Sequence, residues 1–369
     1  MKYLWIATRK GLFRYENISG HWQITQRAFP AENVTMMLHD PRDGSVYVAL
    51  NHGHFGGKMH RSRDEGQTWQ EIAVPKYPPL PEGRKPDINA MNGKEIPWNL
   101  QYIGGLEPGG NDRPGVLWCG TIPGGLFKST DHGDSWQINQ PLWNDPARPK
   151  WFGGGMDQAG IHSICVDPRN SDHVSVGVSC GGVWSTRDGG NTWTICGKGL
   201  RNDYLPPEQA FEPDSQDVHR LVQCPAAPDT FWVQHHNGIF TSDDRGGSWR
   251  EITTAKPSAF GFAVVVHPRD PRIAWFVPAV KDEQRIPADG KVVVTRTRDG
   301  GQSFDILARG LPQQDAYDIA FRHALDIDDT GNVLSFGSTT GNLWISENGG
   351  EDWKNLSTNL PPIYTVRFG

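Results

Sequence analysis

The sequence predicts an all-β protein, a seven-bladed β-propeller formed as a single domain over residues 1–369. Three observations predict it. A short motif recurs along the chain at a nearly constant interval. Apolar strands separated by Gly-rich turns precede each copy of the motif, and a further short strand follows it. The chain also holds 43 Gly and 28 Pro in 369 residues, which favours many turns. Four short strands per repeat with even turn spacing are typical of propeller blades.

The recurring motif is S/T-x-D-x-G-x-S/T-W, and its first copy runs from Ser62 to Trp69. Its central positions are 67, 57, 56, 55 and 49 residues apart, counting a degenerate sixth copy that has Asn in place of Asp. An Asp in such a turn accepts backbone N–H hydrogen bonds, and Gly supplies a positive φ. We therefore expect structural turns rather than catalytic sites. The central residues are Asp64, Asp131, Asp188, Asp244, Asp299 and Asn348.

Seven innermost strands and seven second strands can be placed between the motifs. The chain begins on a second strand, Tyr3–Thr8, and ends on an innermost strand, Ile363–Phe368. We expect these two strands to pair, which closes the ring and removes an exposed sheet edge. The other innermost strands are predicted at residues 34–38, 100–106, 161–166, 218–223, 262–267 and 317–321.

Composition and charge exclude several classes of function. The chain carries 36 Lys and Arg against 42 Asp and Glu, a net charge of −6, whereas a nucleic-acid binder should carry a basic excess. No stretch approaches the roughly 18 apolar residues of a membrane span, and the first residues do not read as a secretory signal. The five cysteines are odd in number and lack CxxC spacing. We expect a cytoplasmic protein with no nucleic-acid or membrane partner.

The motif copies resemble the Asp-box (BNR) repeats of the sialidase, sortilin and xyloglucanase propellers, over nearly the whole chain. The resemblance is nearest to single-domain bacterial BNR-repeat proteins of seven blades that are called glycosyl-hydrolase-like. In the resembled families the box turn lies on the outer part of the blade, away from the substrate face. Sialidases have six blades and an Arg-Ile-Pro segment before the first motif. Here Arg285-Ile286-Pro287 follows four motifs, so sialidase activity is not expected.

Candidate catalytic residues lie where loops lead into the innermost strands, around a central funnel. His162 and His219 each stand six residues before the Pro that ends their strand, so we expect both to enter the funnel from neighbouring blades. Converging imidazoles and carboxylates can exchange protons or bind a divalent metal. Structural, hydrogen-bonded histidines are the alternative. The catalytic candidates are His162, His219, Asp318, Asp157 and Asp217, and the metal candidates are His162, His219 and His236.

Basic and aromatic side chains are expected on the same face. Cations there would suit a ligand that carries a carboxylate, such as a uronate, and aromatic rings could stack on sugars. The alternative is that the rings pack the long loops. The ligand-binding candidates are His52, His54, His235, His236, Arg9, Lys281, Arg285, Trp151 and Tyr102.

Two functions remain open at this point. The first is a glycosyl hydrolase-like or lyase-like enzyme that acts on a glycan or small acidic ligand in the funnel, with a divalent metal as the candidate cofactor. Glycoside hydrolysis would call for paired carboxylates. The second is a non-catalytic scaffold that docks a protein partner on the same face, as in the seven-bladed photosystem II assembly propeller that the chain also resembles. An enzyme needs converging titratable groups, whereas a scaffold does not. The oligomeric state is left open.

Overall fold

The computed structural model describes residues 3–89, 91–153 and 156–369, and these residues form seven four-stranded antiparallel sheets. The innermost strand of each sheet contacts the innermost strands of both neighbouring sheets, and the contacts close into a ring. The prediction of a seven-bladed propeller is thereby confirmed.

The strands are numbered in chain order. Their bounds are β1 (Tyr3–Thr8), β2 (Gly11–Ile18), β3 (His21–Ala28), β4 (Val34–His39), β5 (Val46–Asn51), β6 (Gly57–Ser62), β7 (Gln70–Ile72), β8 (Tyr102–Pro108), β9 (Leu117–Ile122), β10 (Gly125–Ser129), β11 (Gln137–Ile138), β12 (Ile161–Val166), β13 (Val174–Val178), β14 (Gly182–Thr186), β15 (Thr194–Ile195), β16 (Val218–Cys224), β17 (Ala227–His235), β18 (Gly238–Ser242), β19 (Arg250–Ile252), β20 (Gly261–Val266), β21 (Ala274–Pro278), β22 (Val294–Thr297), β23 (Asp305–Leu307), β24 (Leu325–Ile327), β25 (Leu334–Gly337), β26 (Leu343–Ser346), β27 (Lys354–Ser357) and β28 (Ile363–Phe368).

Helical turns are short and lie in the connections. None of the helices in the described residues has the length and hydrophobicity needed to cross a membrane. Their bounds are α1 (Gln140–Trp143) and the 3₁₀ turns Gly53–Phe55, Arg148–Lys150, Pro207–Gln209, Pro213–Ser215 and Ala288–Gly290.

The two ends of the sequence meet in one blade. The C-terminal strand β28 pairs antiparallel with β1, with Leu4 opposite Phe368 and Ile6 opposite Val366. The same sheet continues through β2 and β3, so its four strands come from both ends of the chain. The predicted closure of the ring is therefore confirmed.

The recurring motif forms the same turn between the third and fourth strands of six blades, called here the box turn. In the copy at Asp188, the carboxylate accepts hydrogen bonds from the backbone N–H of Thr192 at 2.9 Å and from the hydroxyls of Thr186 and Thr192 at 2.7 Å. The Thr186 hydroxyl in turn accepts the N–H of Gly190, whose φ is 98°. Because strands alternate in direction, the box turns lie at the opposite end of each blade from the start of its innermost strand.

The aromatic residue of the box turn connects neighbouring blades. The Trp136 indole N–H donates to the carbonyl of Ala73, just beyond β7 in the preceding blade. The Trp249 indole N–H likewise donates to the carbonyl of Cys196, just beyond β15. The motif therefore both shapes a turn and holds two blades together.

The predicted innermost strand at residues 317–321 is wrong. The innermost strand of that blade is β24 (Leu325–Ile327), and residues 317–321 form the loop that leads into it. Ile319 packs against Phe260 and Phe262 of the adjoining blade instead of pairing in the sheet. Its apolar side chain faces a hydrophobic wall in the loop as it would in a strand, which explains the wrong assignment.

Candidate functional site

The central funnel contains a cavity of about 480 Å³ at the end where the innermost strands begin. Most of these strands carry a β-bulge near their first residue, which re-aims a side chain. The bulged residues that line the cavity are Thr35, Gly104, His162, Phe262 and Tyr364. Because these equivalent positions hold different side chains, the cavity wall does not repeat from blade to blade.

One wall of the cavity is cationic. The guanidinium groups of Arg285 and Arg322 lie over the Phe262 ring, 5.3 and 5.7 Å from its centroid. Arg285 also donates to the carboxylate of Asp282 at 3.0 Å. Arg322 reaches only the Ser179 hydroxyl, at 3.4 Å, and its buried Nε has no hydrogen-bond partner among the described residues. Burial lowers the pKa of Arg322, and its Nε is the part of the cation that is shielded from solvent without a partner.

The remainder of the cavity wall is apolar or uncharged, and it includes two histidines, His162 and His323. Among the described residues that line it, none is Asp or Glu. The cavity therefore favours a ligand with an anionic group and apolar faces over a cationic one. The other large or hydroxyl-bearing lining residues are Met36, Tyr102, Ile122, Met156, Ile161, Ile319, Phe321 and Thr339.

His162 and His219 occupy the equivalent positions that the sequence predicted, but their rings are turned differently. His162 uses Nε2 to donate to the carbonyl of Val218, the first residue of the next innermost strand, at 2.7 Å, and its Nδ1 accepts from Ser163 at 2.9 Å. His219 instead donates through Nδ1 to the carbonyl of Gly261, the first residue of its own neighbouring innermost strand, at 2.7 Å. Both nitrogens of His162 are thus occupied, whereas Nε2 of His219 is directed elsewhere. Burial, with the nearby Arg322 and Arg220 charges, holds the pKa of His162 well below its usual value.

Nε2 of His219 faces the carboxylate of Asp217, which also faces His236. These three residues, Asp217, His219 and His236, are called here the Asp217 cluster. One carboxylate oxygen of Asp217 lies 3.4 Å from Nε2 of His219 and 3.4 Å from Nδ1 of His236. The Asp217 and His219 side chains are almost fully buried, and that of His236 is 21% exposed. Burial alone would raise the pKa of Asp217, but the two imidazoles and the charge of Arg322 hold it well below its usual value.

The chain around the Asp217 cluster fixes its side chains. The second oxygen of Asp217 accepts the backbone N–H of Cys180 at 3.3 Å, and Cys180 has a φ of 47°. That left-handed conformation is uncommon for a residue with a side chain. The His219 ring stacks on Phe262, with centroids 4.6 Å apart. Since Phe262 also lines the cavity and contacts Arg285 and Arg322, the cluster lies next to the cationic wall.

The structure brings together three of the residues proposed for catalysis or metal binding and separates the others. Asp157 forms an exposed ion pair with Lys94, at 2.9 Å. Asp318 lies in the loop before β24, and not on an innermost strand as predicted. Its carboxylate accepts hydrogen bonds from Ser338 and Asn342. Of the residues predicted to bind a metal, His219 and His236 lie together with Asp217, whereas both nitrogens of His162 form hydrogen bonds elsewhere.

The ligand-binding candidates fall into three groups. Two of them, Arg285 and Tyr102, line the cavity. His236 belongs to the Asp217 cluster, and the side chain of His54 lies outside the described residues. The remaining candidates have other surroundings: Trp151 is buried against Trp184, His52 pairs with Glu32, His235 is buried with its pKa lowered to about 3, Lys281 pairs with Glu283, and Arg9 is exposed.

Sequence reasoning missed Arg322, His323 and Tyr364. Moving the innermost strand predicted at residues 317–321 to β24 places Arg322 and His323 just before it, at the funnel end. Nε2 of His323 donates to the carbonyl of His162 at 2.8 Å, and its buried Nδ1 has no partner among the described residues. Tyr364 is the second residue of its strand, like His162 and His219, so an alignment of strand starts would have found it.

Comparisons with known proteins agree with the fold. No family model matches the chain. It is 23% identical, over 286 residues, to an oligoxyloglucan-reducing end-specific xyloglucanase of Emericella nidulans, which covers 69% of this chain and 32% of that protein. The GH74 xyloglucanase from Xanthomonas campestris superposes with a TM-score of 0.65 at 16% identity, over 95% of this chain and 52% of that one.

A structure with a bound peptide is also similar to this chain. The structure titled YCF48 bound to D1 peptide superposes with a TM-score of 0.52 at 14% identity, over 87% of this chain and 81% of that one. The chain spans about a third of the length of the curated relatives it matches. Its curated relatives are glycoside hydrolases, and at these identities the structural likenesses concern the propeller fold alone.

Proposed function

We propose that this propeller is a glycan-acting, glycosyl hydrolase-like or lyase-like protein whose central funnel binds a ligand that carries a carboxylate. The observation that carries the proposal is Arg322, a cation in the cavity whose Nε has no partner. A buried N–H without a partner, such as the Nε of this guanidinium, costs free energy, and a carboxylate that reaches it removes that cost with paired N–H···O bonds.

The rest of the cavity supports a sugar acid over a simple anion. Tyr102, Phe262 and Tyr364 present aromatic rings to the same space as Arg322. Aromatic side chains offer large apolar contact area, and Tyr adds a hydroxyl that can hydrogen-bond. A cavity of about 480 Å³ is also within the range of small-molecule sites. The similarity to xyloglucanases supports a glycan as the ligand class.

The same cavity informs the choice between hydrolysis and elimination. Glycoside hydrolysis ordinarily uses two carboxylates that flank the scissile bond, and no carboxylate lines the described cavity wall. Elimination beside a uronate instead needs a cation on its carboxylate and a base. Arg322 supports the first role, and the cavity-lining tyrosines and histidines are the candidates for the second.

The test compares a uronic-acid oligosaccharide with its carboxyl-reduced, neutral counterpart by calorimetry. We expect the acidic form to bind more tightly, and Arg322→Met to weaken that binding about 30-fold or more, since loss of one partner of a buried charge pair costs about 2–5 kcal/mol. Arg272→Met, an exposed arginine paired with Asp270 at the other end of its blade, is the control and should bind as the parent does. Equal binding of both oligosaccharides, or no effect of Arg322→Met, would overturn the proposal.

Product analysis separates the reactions. Hydrolysis creates new reducing ends, whereas elimination creates an unsaturated uronate that absorbs ultraviolet light. Binding without either product would favour the non-catalytic alternative. The described cavity wall has no carboxylate, which is compatible with that alternative.

A further inference from the structure

We propose that Asp217, His219 and His236 bind one divalent transition cation of the Zn²⁺ type. The site lies behind Phe262 and beside the cavity, so it stands whether or not the funnel binds a glycan. Two imidazoles and one carboxylate are a ligand set that suits Zn²⁺ and related metals, whereas Ca²⁺ and Mg²⁺ prefer oxygen ligands alone.

The distances in the cluster fit a metal better than they fit hydrogen bonds. Both nitrogen-to-oxygen distances around Asp217 are 3.4 Å, longer than the 2.7–3.2 Å of an ordinary N–H···O bond. Ligand atoms about 2.0–2.1 Å from a tetrahedral Zn²⁺ stand about 3.3–3.4 Å apart. The three ligand atoms lie within 4.8 Å of one another, close enough for one ion to contact all three.

The surrounding groups hold the ligands in a state ready to bind. Nδ1 of His219 donates to the carbonyl of Gly261, so in the neutral tautomer the lone pair is on Nε2, the atom that faces Asp217. Such an outer hydrogen bond is the usual device that fixes the tautomer of a metal-binding histidine. The N–H of Cys180 occupies one oxygen of Asp217 and leaves the other for the two imidazoles.

Burial supplies an independent reason for a cation. The Asp217 side chain is 2% exposed, and an ionised carboxylate removed from water is paired or coordinates a metal. Among the described residues, the side chains within ion-pair distance of its carboxylate are those of His219 and His236. A metal bound by three protein ligands would keep a fourth position for water or a ligand, and the exposed edge of His236, beside Tyr204, is the side from which it would be reached.

The experiment uses the full-length protein, free of any histidine tag, after treatment with EDTA and desalting. Zn²⁺ is titrated by calorimetry, and Co²⁺ is titrated with its visible absorption as a second readout. We expect about one equivalent of each to bind, and Ca²⁺ and Mg²⁺ not to compete. His219→Ala and His236→Ala should each weaken Zn²⁺ binding about 100-fold or more, because loss of an outer-shell partner alone costs about 10–100-fold.

The matched control is His173→Ala, which removes a half-buried histidine near a single carboxylate, Asp167, at the other end of its blade. It should bind Zn²⁺ as the parent does. If the buried His219 variant fails to fold, the partly exposed His236 variant still decides the matter. No saturable binding by the parent, or binding that His236→Ala leaves unchanged, would overturn the proposal and identify the cluster as an Asp–His ion-pair network.

Discussion

The two ends of each blade differ in how strictly they repeat. At one end the side chain of an Asp or Asn accepts the backbone N–H four residues further on in each of six box turns, as in the copies at Asp64 and Asp188. At the other end, the bulged starts of the innermost strands hold a different side chain in nearly every blade, such as Thr35 and Tyr364. A repeated residue serves the blade that contains it, whereas a varied residue at a repeated position can serve a site shared by all blades.

The comparison also shows how one backbone position can serve two purposes. His162 and His219 both donate to the first carbonyl of the next innermost strand, but they do so through opposite ring nitrogens. In one case the remaining nitrogen binds its neighbour Ser163, and in the other it meets Asp217. The bulge places each histidine at the funnel. The orientation of its ring then determines whether the histidine is structural or belongs to the Asp217 cluster.

The largest expected effect comes from titrating the box turns together. Hydrogen bonds, above all from the hydroxyl that closes the turn, lower the pKa of Asp64, Asp188 and Asp299 to about 2. The unfolded value is about 3.9, so the stability these carboxylates contribute is complete above pH about 4 and is lost as the pH falls toward 2. We expect the melting temperature of the parent to fall as the pH drops from about 4 toward 2, and the gap in melting temperature between the parent and the less stable Asp188→Asn to narrow over the same range. A gap that does not change with pH would contradict this assignment.

A single box turn should matter less, and through its buried hydroxyl. The Ser242 hydroxyl accepts the buried N–H of Gly246 at 2.9 Å and donates to Asp244 at 2.7 Å. Ser242→Ala should lower the free energy of unfolding by about 1–3 kcal/mol, the cost of an unsatisfied buried N–H. Ser248→Ala is the control, because its exposed hydroxyl donates to the same carboxylate. Denaturant unfolding should show a clearly smaller loss for Ser248→Ala, and equal losses would count against the argument.

The degenerate sixth turn offers a smaller effect. Here Asn348 donates to the carboxylate of Asp352 at 2.8 Å, where the other copies have Ser or Thr. Asn348→Asp would place two carboxylates together and should destabilise the protein by about 0.5 kcal/mol, a typical surface charge effect. The double variant Asn348→Asp with Asp352→Ser restores the common pattern and should regain that loss. A double-mutant cycle with no coupling between the two positions would exclude this explanation.

The smallest effect on stability is expected at the funnel. Arg322→Met removes a cation whose Nε is buried without a partner, so the free energy of unfolding should stay at or slightly above that of the parent. Arg296→Met is the comparison at the box-turn end, because Arg296 pairs with Asp305 and Glu351, and it should lower stability. A clear loss of stability in Arg322→Met would mean that this arginine is structural.

The fold could be predicted because each box turn forms within eight consecutive residues. The position of β24 could not be predicted, because Ile319 in the loop before it meets an apolar wall as a strand residue would. In the site, Asp217, His219 and His236 were each named from sequence, but the metal set contained His162 in place of Asp217. Spacing predicts where a histidine lies along its strand. Which ring nitrogen donates to the neighbouring blade depends on how the two blades pack, and a local sequence pattern does not predict that packing.

The pairing of β28 with β1 has a consequence for the order of folding. The sheet formed by β1, β2 and β3 lacks its inner strand until residues 363–368 become available, so of the seven blades the one with the earliest strands is the last to be completed. Until then the edge of β1 is open to wrong partners. Joining residues so far apart carries a large loop-closure cost, so we expect slow refolding in which closure of the ring is the late step.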